Sequence, residues 1–151
     1  ICTDLIETPD SNEYTYSFWT YIKTFSEGYK KIFHRTHESN GSQFNILFGF
    51  LNEYSNGPTL YIHFEKESSY GNMIKKSHYG DYKLENIRLQ TWNHFVVSIW
   101  GKTMDIYLNG KLARTFILPY ELEPSIPEQL EVGEEEEKTY LQDKIQIINM
   151  F

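Results

Sequence analysis

Asn109-Gly110, set between two runs of alternating β-branched and aromatic residues, constrains this 151-residue chain more than any other feature. A two-residue hairpin loop of type I′ needs positive φ at both central positions, and Asn-Gly accepts both. His94 to Trp100, Met104 to Leu108 and Lys111 to Phe116 therefore read as a three-strand meander, with Gly101-Lys102 as its first turn. The short loop also sets a register. Leu108 is expected opposite Lys111, Tyr107 opposite Leu112, Ile106 opposite Ala113 and Asp105 opposite Arg114, which predicts an Asp105–Arg114 ion pair.

The rest of the chain reads in the same manner. Tyr14 to Phe25 alternates, placing Tyr16, Phe18, Thr20 and Ile22 on one face and Ser17, Trp19, Tyr21 and Lys23 on the other. Aromatics on both faces suit a central strand. Strands follow at Lys31 to His37, Phe44 to Leu51 and Thr59 to Glu65, the last with Tyr61, His63 and Glu65 outward. Lys66 to Lys83 is polar, carries Gly71 and Gly80 and reads as a long loop with a short strand at Met73 to His78. Pro124 and Pro127 keep 121–129 out of a sheet interior, while Leu130 to Gly133 and Lys144 to Met150 read as late strands. Nothing reads as a long amphipathic helix. Short strands with turn signals every ~8–12 residues make this an all-β chain, a two-sheet antiparallel sandwich or a barrel.

A length of 151 residues suits one domain with its own core, here 14–151 preceded by an arm at 1–13 whose Pro9-Asp10-Ser11-Asn12 is a turn cluster. A net charge of -7 argues against nucleic acid, whose binding rests on Lys and Arg against phosphate, and against anionic membranes. Cys2 stands alone, so no disulfide closes within the chain. No apolar run approaches the ~20 residues of a membrane span, and the N-terminus lacks the layout of a signal peptide. The sequon Asn40-Gly41-Ser42 is a tripeptide that arises often by chance. Compartment stays open: an extracellular or virion surface and an intracellular assembly both fit.

The order FWTYIK at Phe18 to Lys23, WNHFVVSIWGKTMDIYLNGKL at Trp92 to Leu112, LEVG at Leu130 to Gly133 and DKIQIINMF at Asp143 to Phe151 resembles the concanavalin A-like lectin/glucanase superfamily. Its laminin G-like and pentraxin-like branch is the nearest match. With KKIFHRTH at Lys30 to His37 included, the chain is similar to the version of the domain found in large DNA viruses of protists and in protist proteins. The resemblance implies a jelly-roll sandwich, one sheet concave, with ligands on that face or on the rim loops. It also implies that the family's usual continuation beyond the final strand is trimmed here. The laminarinase-type cluster of acids on one strand is missing, and the terminal disulfide of secreted laminin G domains cannot form.

Glycoside hydrolysis needs two carboxyls about 5–9.5 Å apart, one kept protonated by burial. Glu65, Glu67, Asp81 and Asp105 offer carboxyls, yet solvated faces are the expectation for all four. Asp105 and Asp81 are the acids to which a hard cation such as Ca2+ would bind, although Asn109 is committed to its turn. His34 and His37 share a strand with opposite directions, a poor arrangement for zinc. No nucleophile elbow or phosphate cradle occurs. Sugar binding asks for less: rings to stack on apolar sugar faces with polar groups beside them. Tyr61, His63, Trp100 and Tyr107 are the candidates, with Tyr70, Asn72 and Asp81 from the following loop. The expected activity is non-catalytic recognition of a glycan or glycoprotein, with no cofactor. A structural subunit docked in a viral particle or protist complex is the alternative, and a glycoside hydrolase the third reading.

Overall fold

The computed structural model of the chain describes residues 5–6, 13–25, 28–39, 42–52, 57–70, 73–119, 121, 128–132 and 145–146. In chain order its strands are β1 (Leu5–Ile6), β2 (Tyr14–Tyr21), β3 (Gly28–Ser39), β4 (Ser42–Asn52), β5 (Thr59–Tyr70), β6 (Met73–Leu84), β7 (Trp92–Trp100), β8 (Thr103–Leu108), β9 (Lys111–Ile117), β10 (Glu128–Val132) and β11 (Ile145–Gln146). Two antiparallel sheets result, one ordered β1-β10-β3-β4-β5-β6 and one ordered β11-β2-β7-β8-β9. Cys2, Asn40 and the acidic run 134–138 lie outside the described residues.

The alternation seen in the sequence is the alternation of burial. Tyr16, Phe18 and Thr20 of β2 and Asn93, Phe95, Val97 and Ile99 of β7 point inward, against Phe33 of β3, Ile46, Phe48 and Phe50 of β4 and Leu60, Ile62 and Phe64 of β5. Aromatic rings bridge the two sheets within an otherwise aliphatic filling. Phe33 stacks on Phe48 with centroids 4.2 Å apart, Tyr16 meets Phe48 at 4.9 Å, and Phe18 joins Phe33 to Phe95 at 5.5 and 5.3 Å. At the β6/β9 side, Tyr82 packs edge-on against Phe116 at 5.1 Å and closes the sandwich.

The Asn109-Gly110 turn forms as read, with φ of 51° and 78°. Asn109 does more than turn. Its backbone N–H donates to the His94 carbonyl at 2.8 Å and its Oδ1 accepts from the His94 N–H at 2.9 Å, tying the hairpin tip to β7. Asn109→Ala is expected to lose that side-chain bond and adopt positive φ at a cost, lowering stability by about 1–2 kcal/mol in denaturant melts. Asn109→Gly, which keeps the φ, recovers part of that loss.

Two expectations from the sequence are corrected. Leu108 and Tyr107 do face Lys111 and Leu112, but a bulge at Ala113 then shifts the pairing, so Ile106 faces Arg114 and Asp105 faces Thr115. Asp105 thus accepts the Thr115 hydroxyl at 2.5 Å instead of pairing with Arg114 as expected. Second, Lys66 to Lys83 is no loop. β5 runs on to Tyr70 and β6 returns from Met73 to Leu84, a long hairpin at the sheet edge. Its sequence is polar and lacks a strong two-residue period, so backbone pairing and not hydrophobic patterning defines it.

Candidate functional site

Register places the outward residues of the six-stranded sheet in rows. Lys31, Gly49, Tyr61 and Lys83 form one row across β3 to β6, and His34, Leu47, His63 and Asp81 form the next. Asp81 owes its place to a bulge. Glu65 pairs with His78 but Phe64 pairs with Gly80, leaving Tyr79 as the extra residue, with Gly80 at a φ of 138° that a side chain seldom adopts. Without that extra residue Asp81 would stand opposite Ile62 and point into the core, because a one-residue slip exchanges the faces. With it, Asp81 stands beside His63.

The result is a hydrogen-bonded cluster. The Tyr61 hydroxyl donates to Asp81 Oδ1 at 2.5 Å, and His63 Nδ1 donates to the same oxygen at 2.6 Å. A carboxylate only accepts, so the Nδ1 proton is set by this contact. Nε2 of the same ring lies 3.5 Å from Glu65 Oε2. Tyr61 and His63 are parallel with centroids 6.1 Å apart, Tyr29 meets Tyr61 edge-on at 5.8 Å, and the Lys83 ammonium lies 5.8 Å from the Tyr61 ring centre. Tyr29 reaches this position because Gly49 has no side chain: a Cβ there would overlap the Tyr29 ring.

The candidates named from the sequence therefore divide. Tyr61, His63 and Asp81 converge, although Asp81 sits in a strand and not in a loop. Trp100 and Tyr107 belong to the five-stranded sheet, Tyr107 opposite Val96 and Trp100 at the end of β7, so they take no part in this cluster. Alternation reveals which side chains share a face of one strand, but not which sheet the strand joins. Tyr70 ends β5, its side chain lying outside the described residues, as does Asn72. Tyr29 and Gly49 were missed. A lone glycine in an apolar strand is a signal of close approach, and it marked the place.

Asp81 and Asp105 lie in different sheets, each accepting hydrogen bonds, and do not combine. Among the described residues no group of three or more His, Cys, Asp and Glu is placed to hold a metal ion. Neither carboxylate beside His63 is deeply buried, with side-chain exposure of 21% for Glu65 and 36% for Asp81.

A family model described as the Concanavalin A-like lectin/glucanases superfamily matches residues 2–142. No curated protein matches the chain. Among solved structures, the chain is similar to the kappa-carrageenase from Pseudoalteromonas carrageenovora in complex with an oligotetrasaccharide of kappa-carrageenan, with a TM-score of 0.56 at 6% identity. That match covers 89% of this chain and 51% of the carrageenase, so the chain spans about half of that protein's length. Domains LG4-5 of the mouse laminin alpha1 chain give a TM-score of 0.55 at 8% identity, covering 99% of this chain and 39% of that one. At such identities these likenesses establish shared architecture.

Proposed function

The chain belongs to the concanavalin A-like lectin/glucanases superfamily, and from that premise we propose that it is a non-catalytic module that recognises a glycan on the outer face of its six-stranded sheet. The observation that carries the reading is the sharing of Asp81 Oδ1 by the Tyr61 hydroxyl and His63 Nδ1. A carboxylate held by two donors beside two tyrosine rings joins the components of a sugar site: flat apolar surface, and a charged acceptor for hydroxyls. The rings lie on strands paired on both sides, so little ordering cost remains to be met on binding. The carrageenase shows that this architecture accommodates a saccharide, which is support at the level of fold alone.

A hydrolytic role is disfavoured by the same contacts. A general acid is kept protonated by burial, whereas Asp81 stands partly in solvent with one oxygen already accepting from Tyr61 and His63.

Glycan-array screening followed by titration calorimetry tests the proposal. Tyr61→Ala and Asp81→Ala are each expected to weaken binding ~10-fold, about 1.4 kcal/mol, with unchanged circular dichroism. Gly49→Val, which forces the Tyr29 ring off the sheet, is expected to weaken it too. Binding untouched by all three substitutions removes this face from consideration, and turnover of a bound oligosaccharide removes the non-catalytic reading.

A further inference from the structure

All three tryptophans of the chain stand on the outer face of the five-stranded sheet, Trp19 on β2 and Trp92 and Trp100 on β7, exposed by 38%, 44% and 69%. Tryptophan is highly buried on average, so this concentration on one solvent-facing side calls for a cause. Trp19 stacks on His94 at 4.5 Å and Trp92 meets Tyr21 at 5.6 Å. Between these rings and Trp100 the face continues through Val96, Tyr107 and the exposed Leu112, which stand in one row. Among the described outward positions of β2, β7 and β8 there is no lysine or arginine, and the single carboxylate, Asp105, accepts the Thr115 hydroxyl. Rich in aromatics and poor in charge, this is the composition of an interface centre.

We infer that this face joins two copies of the chain, sheet against sheet, about a two-fold axis. Each copy has a formal net charge of -7, which opposes approach wherever acids project. The tryptophan face, with Asp105 as its one acid among the described outward positions of β2, β7 and β8, adds little to that repulsion. An isologous contact also requires a surface complementary to itself, and an uncharged apolar centre meets that condition without any matching of opposite charges. The projected size is set by β2, β7, β8 and β9, of 8, 9, 6 and 7 residues, which at ~4.8 Å spacing and ~3.4 Å rise give a flat footprint of about 490 Å². The relief of the rings brings this toward the ~800 Å² per partner of a standard interface. Tyr61 and Asp81 lie on the opposite sheet, so the pairing leaves them outward and does not depend on what they bind.

Sedimentation velocity and light scattering on the whole chain, over a dilution series, provide the test. The expected result is a dimer that dissociates on dilution, with tryptophan emission shifting to the red as it does so. Leu112→Glu and Val96→Glu are each expected to raise the dimer dissociation constant by about 100-fold or more while circular dichroism stays unchanged. Tyr61→Ala leaves the dimer intact, so the glycan reading can fail without this one. A chain that stays monomeric at millimolar concentration overturns the inference. So does a dimer that survives both glutamates, or a monomer whose tryptophan emission shifts instead on adding an insoluble polysaccharide.

Discussion

Phe48→Ala is expected to lower the stability of the folded chain by about 3–5 kcal/mol, the range found when a fully buried aromatic ring is truncated. Phe48 is completely buried at the centre of β4 and touches rings from both sheets: Phe33 and Tyr16 at 4.2 and 4.9 Å, and Phe18 at 6.4 Å. Strands hydrogen-bonded on both sides cannot collapse into the space left behind, so the cavity persists and the lost contacts are not recovered. For a domain stable by ~5–15 kcal/mol, this removes a large share of the margin. Urea melts provide the measurement, with Phe50→Leu as the comparison. A loss under ~1 kcal/mol for Phe48→Ala would mean that the two sheets do not meet at this ring.

The second large effect concerns a cation in the core. Arg35 is 5% exposed, its guanidinium lies 3.8 Å from the Tyr14 ring centre, and its Nη1 donates to the Tyr16 hydroxyl at 2.5 Å. Arg35→Ala is expected to cost about 3–5 kcal/mol, because it opens a cavity and takes a charged donor from a buried hydroxyl. Arg35→Met keeps most of the volume and removes the charge, and is expected to cost far less or to stabilise. If the two variants cost the same, the charge and not the volume is what the core depends on.

The same pair sets an alkaline limit. Burial raises the Tyr16 phenol above its ordinary value of 10, and Arg35 lowers it in part. Between pH 10 and the higher folded value, the unfolded chain has lost a proton that the folded chain keeps. The stabilisation is therefore whole below pH 10 and is lost as pH rises through the folded value, by about 1.4 kcal/mol per pH unit. Tyr82, raised by burial as well, adds loss in the same direction. Arg35→Met is expected to widen this window upward, and Tyr16→Phe to flatten the pH profile of stability above pH 10.

Much of this molecule was legible one residue at a time. The alternation of β2 and β7, the Asn109-Gly110 turn and the outward direction of Tyr61 and His63 follow from φ/ψ preferences and from the two-residue period of a strand. Those are local properties that a sequence carries in full. Three further results depended on distant segments meeting. Lys66 to Lys83 became a hairpin because β5 offered β6 a long partner, although neither stretch is apolar enough to declare itself. Asp81 turned outward because of one extra residue at Tyr79, and Asp105 acquired Thr115 because of another at Ala113. The division of the aromatic candidates between two sheets came from topology, which no periodicity encodes. By itself the sequence determined the strands, the tight turn and the inner and outer faces; the tertiary structure alone decided which outer residues became neighbours. The reason is that a bulge shifts pairing by a single residue, at little local cost, and exchanges the face of every side chain beyond it.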